Sequence, residues 1–371
     1  RFPLSYGGDR KQGLILRELF LKDFRNYEEL LLTDIHPRLN LIIGDNAQGK
    51  TNLVEAIYFL SCGRSFRQAT EERLIRENAQ AAQLRAVYET ASGRGKLEAA
   101  LFNGKNRSVR LNGVPVRRMS EVIGRLNTVV FAPEDMRTVK ESPTLRRRLM
   151  DIEISKLFPS YYVALQRYSA ALKEKNRLLK DNEPDFSLID VYNIQLAEQG
   201  SAIIQKREEF LKCISKHARD AHAFLTDGKE ELLIKYRPSA ELFETRRSLY
   251  ERISINFKRE CEQRIALIGP HREDFDIVIN GRDAKLMGSQ GQQRTAMISI
   301  KLACAQAADD FCFERPVLLL DDVFSELDNN RADRLMYLSE KFQVFITSTA
   351  LTGKYAPQNA KIIKVTSGRI F

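Results

Sequence analysis

The 371-residue chain has no tryptophan, only five cysteines, and no apolar run near the roughly 18 residues that a membrane span requires. Its first stretch also lacks the apolar h-region of a signal peptide. These absences speak against a spanning helix and a secretory leader, so the expected setting is the cytoplasm, with no membrane partner. The cysteines, at 62, 213, 261, 304 and 312, are odd in number and scattered, and no CxxC or Cys/His cluster accompanies them. Reduced structural thiols are expected. Homeodomain, zinc-finger and RRM signatures are also missing, so any DNA binding must use a diffuse basic surface.

What is present is a globular composition, 43% hydrophobic and 29% charged. The length suits two domains, or one with a large insertion. Lysine and arginine exceed aspartate and glutamate by 59 − 49 = 10, a balance that favours a polyanionic partner such as nucleic acid.

The chain is organised around LNLIIGDNAQGKTNLVEAIYFL, Leu39 to Leu60. Leu41-Ile42-Ile43 reads as a buried strand, and Asn52 to Leu60 carries apolar residues at helical spacing. Between them Gly44-Asp45-Asn46-Ala47-Gln48-Gly49-Lys50-Thr51 fits the P-loop pattern. The glycines let the backbone curl so that its N–H groups, at the positive end of the following helix, face phosphate oxygens. Lys50 is expected to hold the β- and γ-phosphates of ATP, and the Thr51 hydroxyl to ligate Mg²⁺. The competing reading, a Gly-rich turn that binds nothing, leaves the flanking strand and helix without a purpose.

Residues 1–13 read as a loose tail or tag remnant, and the ATPase head begins at residue 14. From Leu14 the run LILRELFLKDFRNY alternates as a strand. The polar break at Asp34 to Arg38 then returns the chain to the P-loop strand, which predicts a hairpin. Short strands around Ala82–Glu89, Lys96–Phe102 and Ser108–Leu111, with turns at Asn103-Gly104 and Asn112-Gly113, predict a small antiparallel sheet. Asn127 to Ala132 reads as a further buried strand ended by Pro133. From 142 to 264 the composition turns helical, with an interruption at Asp181-Asn182-Glu183-Pro184 and a less regular section from Asp227 to Pro238. This is an inserted, mostly helical lid or arm. The Arg146-Arg147-Arg148 triplet reads either as a solvated helix face or as a contact to DNA phosphate. The head resumes over 265–371, so the nucleotide domain is built from both ends of the chain.

In that second part, four apolar residues, Val317 to Leu320, deliver Asp321 to a sheet edge, the pattern of a Walker B strand that holds Mg²⁺ directly or through water. Asp322 follows, placed to orient or deprotonate the water that attacks the γ-phosphate. Gly288-Ser289-Gln290-Gly291-Gln292-Gln293-Arg294-Thr295 precedes a predicted helix over Thr295–Ala308. It offers exposed N–H groups and a hydroxyl as a second anion site.

That segment resembles the signature motif of ABC-type ATPases, with Ser289, Gln290, Gly291 and Gln292 standing where SGGQ usually stands. Ser325-Glu326-Leu327-Asp328 resembles their D-loop. Further pieces sharpen the likeness: Asp23-Phe24-Arg25-Asn26-Tyr27, Gly63-Arg64-Ser65-Phe66-Arg67, Phe131-Ala132-Pro133-Glu134-Asp135, Ser142-Pro143 with the arginine triplet, and Gly269-Pro270-His271-Arg272 with Asp274. In this order, from Leu14 onward, they resemble the RecF family of SMC-like ABC ATPases. The resemblance implies an α/β P-loop ATPase head with a short helical arm, and two ATP molecules sandwiched in an ATP-dependent homodimer. It further implies a slow, DNA-stimulated, Mg²⁺-dependent ATPase that binds duplex DNA and single/double-strand junctions. RecR, and RecO in the same pathway, would be partners in loading RecA at gaps.

It also implies ATP contacts from Gly44 through Asn52, with Ser289 to Gln292 closing the partner's site, and nucleotide or DNA contacts among Arg25, Asn26, Arg64, Arg67 and the triplet. Arg64 and Arg67 compete for one role, an arginine aimed at the nucleotide. Glu134 lies near the expected Q-loop position. Two departures from the ABC pattern fit slow turnover: Thr349 where a switch histidine is usual, and Asp322 in place of the catalytic glutamate. Two other functions fit less of the chain. An SMC-like defence protein coupled to a nuclease would need a second catalytic cluster, and a small-substrate P-loop kinase has no use for a signature segment.

Overall fold

The computed structural model describes residues 13–241, 245–323, 329–349 and 360–371. The expected tail, up to residue 12, and the D-loop at 325–328 lie outside the described residues. The chain opens with β1 (Ile15–Phe24) and β2 (Tyr27–Leu32), an antiparallel hairpin in which Phe24 already faces Tyr27. The reversal therefore falls at Arg25-Asn26, not at Asp34–Arg38, and the expected pairing of the first strand with the P-loop strand is corrected. Arg25 takes the left-handed conformation, φ 55°. A turn built on arginine rather than glycine at that position carries little sequence signal.

β3 (Leu39–Ile43) leads through the P-loop into α1 (Lys50–Cys62). The antiparallel sheet then resumes with β4 (Ala81–Thr90), β5 (Gly93–Phe102), β6 (Lys105–Leu111) and β7 (Val114–Pro115). The Asn-Gly turns fall as expected, with Asn112 and Gly113 both at positive φ. The sheet has six strands, because the opening hairpin joins it in the order β2-β1-β4-β5-β6-β7.

β8 (Thr128–Phe131) and α2 (Met136–Lys140) precede the arm, formed by α3 (Pro143–Leu157), α4 (Pro159–Leu178) and the 41-residue α5 (Phe186–Thr226). Proline begins both α3 and α4, where its missing N–H costs no bond. Asp185 caps α5 by accepting from the Leu188 N–H. The stretch read as irregular contains β9 (Leu232–Arg237). After α6 (Thr245–Gln263), β9 pairs with β10 (Asp274–Ile279), which pairs in turn with β11 (Arg282–Asp283). A strand from within 142–264 is thus hydrogen-bonded to one beyond it. Lys235 and Arg237 on so short a run hid it.

α7 (Ala284–Met287) and α8 (Gln290–Cys312) come next, then β12 (Val317–Leu320), α9 (Asn329–Met336), β13 (Val344–Ser348), β14 (Lys361–Thr366) and β15 (Arg369–Ile370). The second sheet runs β15-β14-β3-β13-β12-β8 and is parallel from β14 to β8. Both faces of a parallel sheet must be covered. α1 covers one, packing Ile57 and Phe59 between Val130, Leu319 and Phe345 and the antiparallel sheet. α8 and the end of α5 cover the other, where Ile298, Leu302 and Leu225 meet Leu41, Leu318 and Ile346. The fold is the α/β head with a helical arm that was expected, and no described helix is long and apolar enough to cross a membrane.

The five cysteines are free thiols. The expectation that no Cys/His cluster accompanies them fails at one point: Cys213 and His217, four residues apart on α5, meet Asp310 of α8.

Candidate functional site

β3 ends at the P-loop because Gly44 must let the backbone turn beside β14. A Cβ there would sit 2.2 Å from the Val365 carbonyl oxygen. Gly49, at φ 118°, caps α1, and a Cβ on it would meet the Asn26 side chain at 2.6 Å. Asn26 holds the loop from outside. Its Nδ2 donates to the Gln48 carbonyl at 2.8 Å, its Oδ1 accepts from Asn52 Nδ2 at 2.8 Å, and the neighbouring Tyr27 hydroxyl donates to the Gly49 carbonyl at 3.0 Å. Asp45, Asn46 and Ala47 are exposed at the rim. Lys50 folds over the loop, donating to the carbonyls of Gly44 and Asp45 at 2.7 and 2.8 Å.

β12 brings Asp321 to the same edge. Its Oδ1 accepts from Thr51 Oγ1 at 2.9 Å and from Thr347 Oγ1 at 2.8 Å. The two halves of the head, 270 residues apart in sequence, are thereby joined at one carboxylate oxygen. Asp321 is buried, and burial raises its pKa; the two hydroxyl donors oppose that shift, while the charges of Glu134 and Asp322 add to it. This set of hard oxygen donors, with excess negative charge, suits Mg²⁺. Asp322 is exposed, at φ 51°, and its N–H donates to Thr347 Oγ1 at 2.9 Å. Thr347 was not anticipated. A threonine at the end of a buried strand gives no signal until the neighbouring strand is known. Thr349, the expected switch position, is exposed two residues further on.

The basic candidates separate. Arg25 makes a two-pronged pair with Glu55, whose side chain is 0% exposed, and donates also to the Arg73 carbonyl. Glu55 accepts from Ser65 as well. Arg146, buried, is held by both oxygens of Asp274 and by the carbonyls of Thr138 and Glu141. Arg147 donates to the Glu273 carbonyl at 2.7 Å. Both readings of the triplet are corrected for Arg146, which is neither a solvated face nor a DNA contact but a strut between α3 and β10. Arg148 is half-buried, and burial and the charge of Arg64 lower its pKa. That proximity puts Arg64 toward α3, whereas Arg67 donates to Asn52 Oδ1 at 3.3 Å, beside the P-loop helix.

Ser289 caps α8. Its Oγ accepts from the Gln292 N–H and its own N–H donates to Gln292 Oε1, a reciprocal capping box. Gln292 also donates to Glu230, and the other Glu230 oxygen meets the wholly buried His222, which contacts Ser299. Burial lowers the His222 pKa, against the opposing charge and hydrogen bond of Glu230. His222 and Glu230 were also missed, since neither belongs to a motif. Ser289 and Gln290 are exposed, as are Leu286 and Met287 just before them. Among the described residues no hydrogen bond joins 288–292 to the P-loop.

The fold and these paired sites define an ATPase head of the SMC type. Residues 15–369 match the family described as RecF/RecN/SMC N terminal domain. The SMC head domain of Pyrococcus furiosus superposes with a TM-score of 0.57 at 18% identity, over 95% of this chain and 94% of that one, a likeness of fold alone.

Closer relatives are narrower in kind. The DNA replication and repair protein RecF of Clostridium novyi is 39% identical over 360 residues, covering 96% of this chain and 99% of its own length. That of Staphylococcus carnosus is 40% identical over 369 residues, with 96% and 99% covered. The recombination mediator protein RecF of the RecFOR pathway, solved with ATP, superposes with a TM-score of 0.89 at 34% identity, over 97% of this chain and 99% of that one. The chain belongs to the RecF family.

Proposed function

We propose that the chain is a slow, Mg²⁺-dependent, DNA-responsive ATPase of recombinational repair, in which ATP closes a homodimer on duplex DNA near single-strand gaps and hydrolysis releases it. The observation that carries this reading is the division of the site. Lys50, Thr51, Asp321 and the exposed Asp322 gather at one edge, while the capped and exposed Ser289 makes no described contact with them. A second chain is what can bring the two together. The exposed apolar side chains of Leu286 and Met287, 78% and 63% accessible, flank the signature cap and suit a contact formed only on closure.

In this reading ATP phosphates displace the Gly44 and Asp45 carbonyls as partners of Lys50. Thr51 and Asp321 would hold Mg²⁺, whose charge neutralises the transferring phosphate oxygens. Asp322 orients the attacking water. Arg67 reaches the nucleotide, and the partner's Ser289, Gln290, Gly291 and Gln292 close over the γ-phosphate. RecR, with RecO, is the expected partner in loading RecA, and the setting is cytoplasmic. DNA is held through phosphates by exposed cations of head and arm, so affinity falls steeply with salt.

The test is ATP hydrolysis per protomer against protein concentration, with and without gapped duplex DNA. A specific rate that rises with concentration and rises again with DNA supports a composite site. Ser289→Arg should then abolish dimerisation and leave ATP binding to the monomer intact. A rate per protomer that ignores both concentration and DNA overturns the reading.

A further inference from the structure

Cys213 and His217 lie one turn apart on α5, so both point to one face, toward α8. Asp310, near the end of α8, meets them there. Its Oδ2 is 2.7 Å from His217 Nε2 and 3.7 Å from Cys213 Sγ, and the three ligand atoms lie within 4.8 Å of one another. Gln306, one turn back on α8, donates to the other Asp310 oxygen at 3.4 Å. Two further atoms at this place are buried without a hydrogen-bond partner: His217 Nδ1, and Oε1 of Gln306, a residue only 3% exposed. Buried polar atoms are nearly always paired, so an imidazole with one nitrogen unpaired, set against a thiol and a carboxylate, points to a missing partner.

We propose that Cys213, His217 and Asp310 form a binding site for a divalent ion of the zinc type, pinning the arm helix α5 to the signature helix α8. Sulfur, nitrogen and oxygen donors in one set suit zinc, and three protein ligands leave a fourth position that water can fill. Tetrahedral bonds of about 2.1 Å separate neighbouring N and O ligands by about 3.4 Å, so the His217–Asp310 contact must open by roughly 0.7 Å. Asp310 is exposed and can swing that far. Without the ion, burial and the Asp310 charge push the Cys213 thiol up to about 12, so it keeps its proton. Binding forms the sulfur–metal bond and releases that proton to solvent.

The experiment uses the full chain, stripped with a chelator and kept under a phosphine reductant, with Co²⁺ as the probe. The phosphate-binding site has no thiol, so a thiolate-to-cobalt charge-transfer band reports cysteine ligation alone. We expect the band to saturate at one ion per chain in the unaltered protein and in Cys312→Ser. It should vanish in Cys213→Ser, and Zn²⁺ should displace the cobalt. His217→Gln and Asp310→Asn, read separately, should weaken Zn²⁺ binding by about 10- to 100-fold or more. No charge-transfer band, or a band that survives Cys213→Ser, overturns the proposal. Should Cys213→Ser fail to fold, unchanged Zn²⁺ affinity in the other two variants overturns it equally.

Discussion

Asn26→Ala separates a brace from a contact. The side chain donates to the Gln48 carbonyl and accepts from Asn52, both at 2.8 Å, and it packs where a Cβ on Gly49 would fall. It holds the curl of the P-loop, and its polar atoms are already committed to doing so. Each neutral hydrogen bond contributes about 1 kcal/mol net, and the Gln48 carbonyl keeps its other bond, from the Gly368 N–H at 3.0 Å. The loss is therefore about 1–2 kcal/mol. If the whole of it falls on the ordered loop that ATP requires, ATP affinity drops about 5- to 30-fold. The assay is equilibrium titration with a fluorescent ATP analogue, alongside DNA affinity measured at saturating nucleotide. Unchanged ATP affinity with weakened DNA binding would refute the brace and restore Asn26 as a direct DNA contact.

Three other perturbations test neighbouring parts. Arg146→Ala leaves Asp274 without its buried partner and should lower stability by about 3–5 kcal/mol, read from the urea midpoint, while DNA affinity per folded molecule stays the same. His271, half-buried against Tyr168 and the Ala266 carbonyl, has its pKa lowered to about 4, chiefly by desolvation. The unfolded chain's histidine titrates near ~6.5, so below that pH the unfolded state takes up a proton that the fold refuses. Stability should be complete above about pH 6.5 and fall by about 3 kcal/mol on acidification to pH 4, a slope that His271→Gln should flatten in urea melts. At Asp321 the raised pKa means that the nucleotide-free fold bears the ionised carboxylate at a cost at neutral pH. Asp321→Asn should raise the melting temperature without ligand and remove the further rise produced by Mg²⁺ and ATP; a variant that melts lower without ligand would contradict this.

The Walker residues were legible because backbone chemistry fixes them. Glycine at 44 and 49, a cation, a hydroxyl and an apolar strand ending in aspartate have one joint use, and β3, β12 and β13 follow from uninterrupted apolar runs too short for helices. What was illegible depends on partners distant in sequence. Arg146 reads as part of a charged triplet until Asp274, 128 positions away, is seen beside it. Thr347 has no role until β13 lies next to β12. The Arg25 turn and β9 were lost in the same way: the turn, built on arginine rather than glycine, is held by Glu55, and the short, charge-interrupted β9 is completed only by pairing with β10. Cys213 and His217 did carry a spacing, four residues on one helix face, but their third member comes from another helix.

α5 explains why so many of these unread residues matter together. At 1.5 Å per residue its 41 residues span about 62 Å, from the far end of the arm to the base of the head. Near its middle the wholly buried Arg207 is bound by Asp151 of α3 and by Glu273 and the Pro270 carbonyl just before β10. Near its end His222 reaches Glu230, which holds Gln292 of the signature cap, and just past it Asp227 pairs with Arg334 of α9, the helix that follows the Walker B strand. A single rigid element thus touches the arm, the signature segment and the residues beyond Asp322. The buried pairs of Arg207 with Asp151 and Glu273 tie α3 and the start of β10 to this same helix. In the proposed reading, an arm that binds DNA and a surface that closes on ATP would therefore share this one helix, which is how the two events could be coupled.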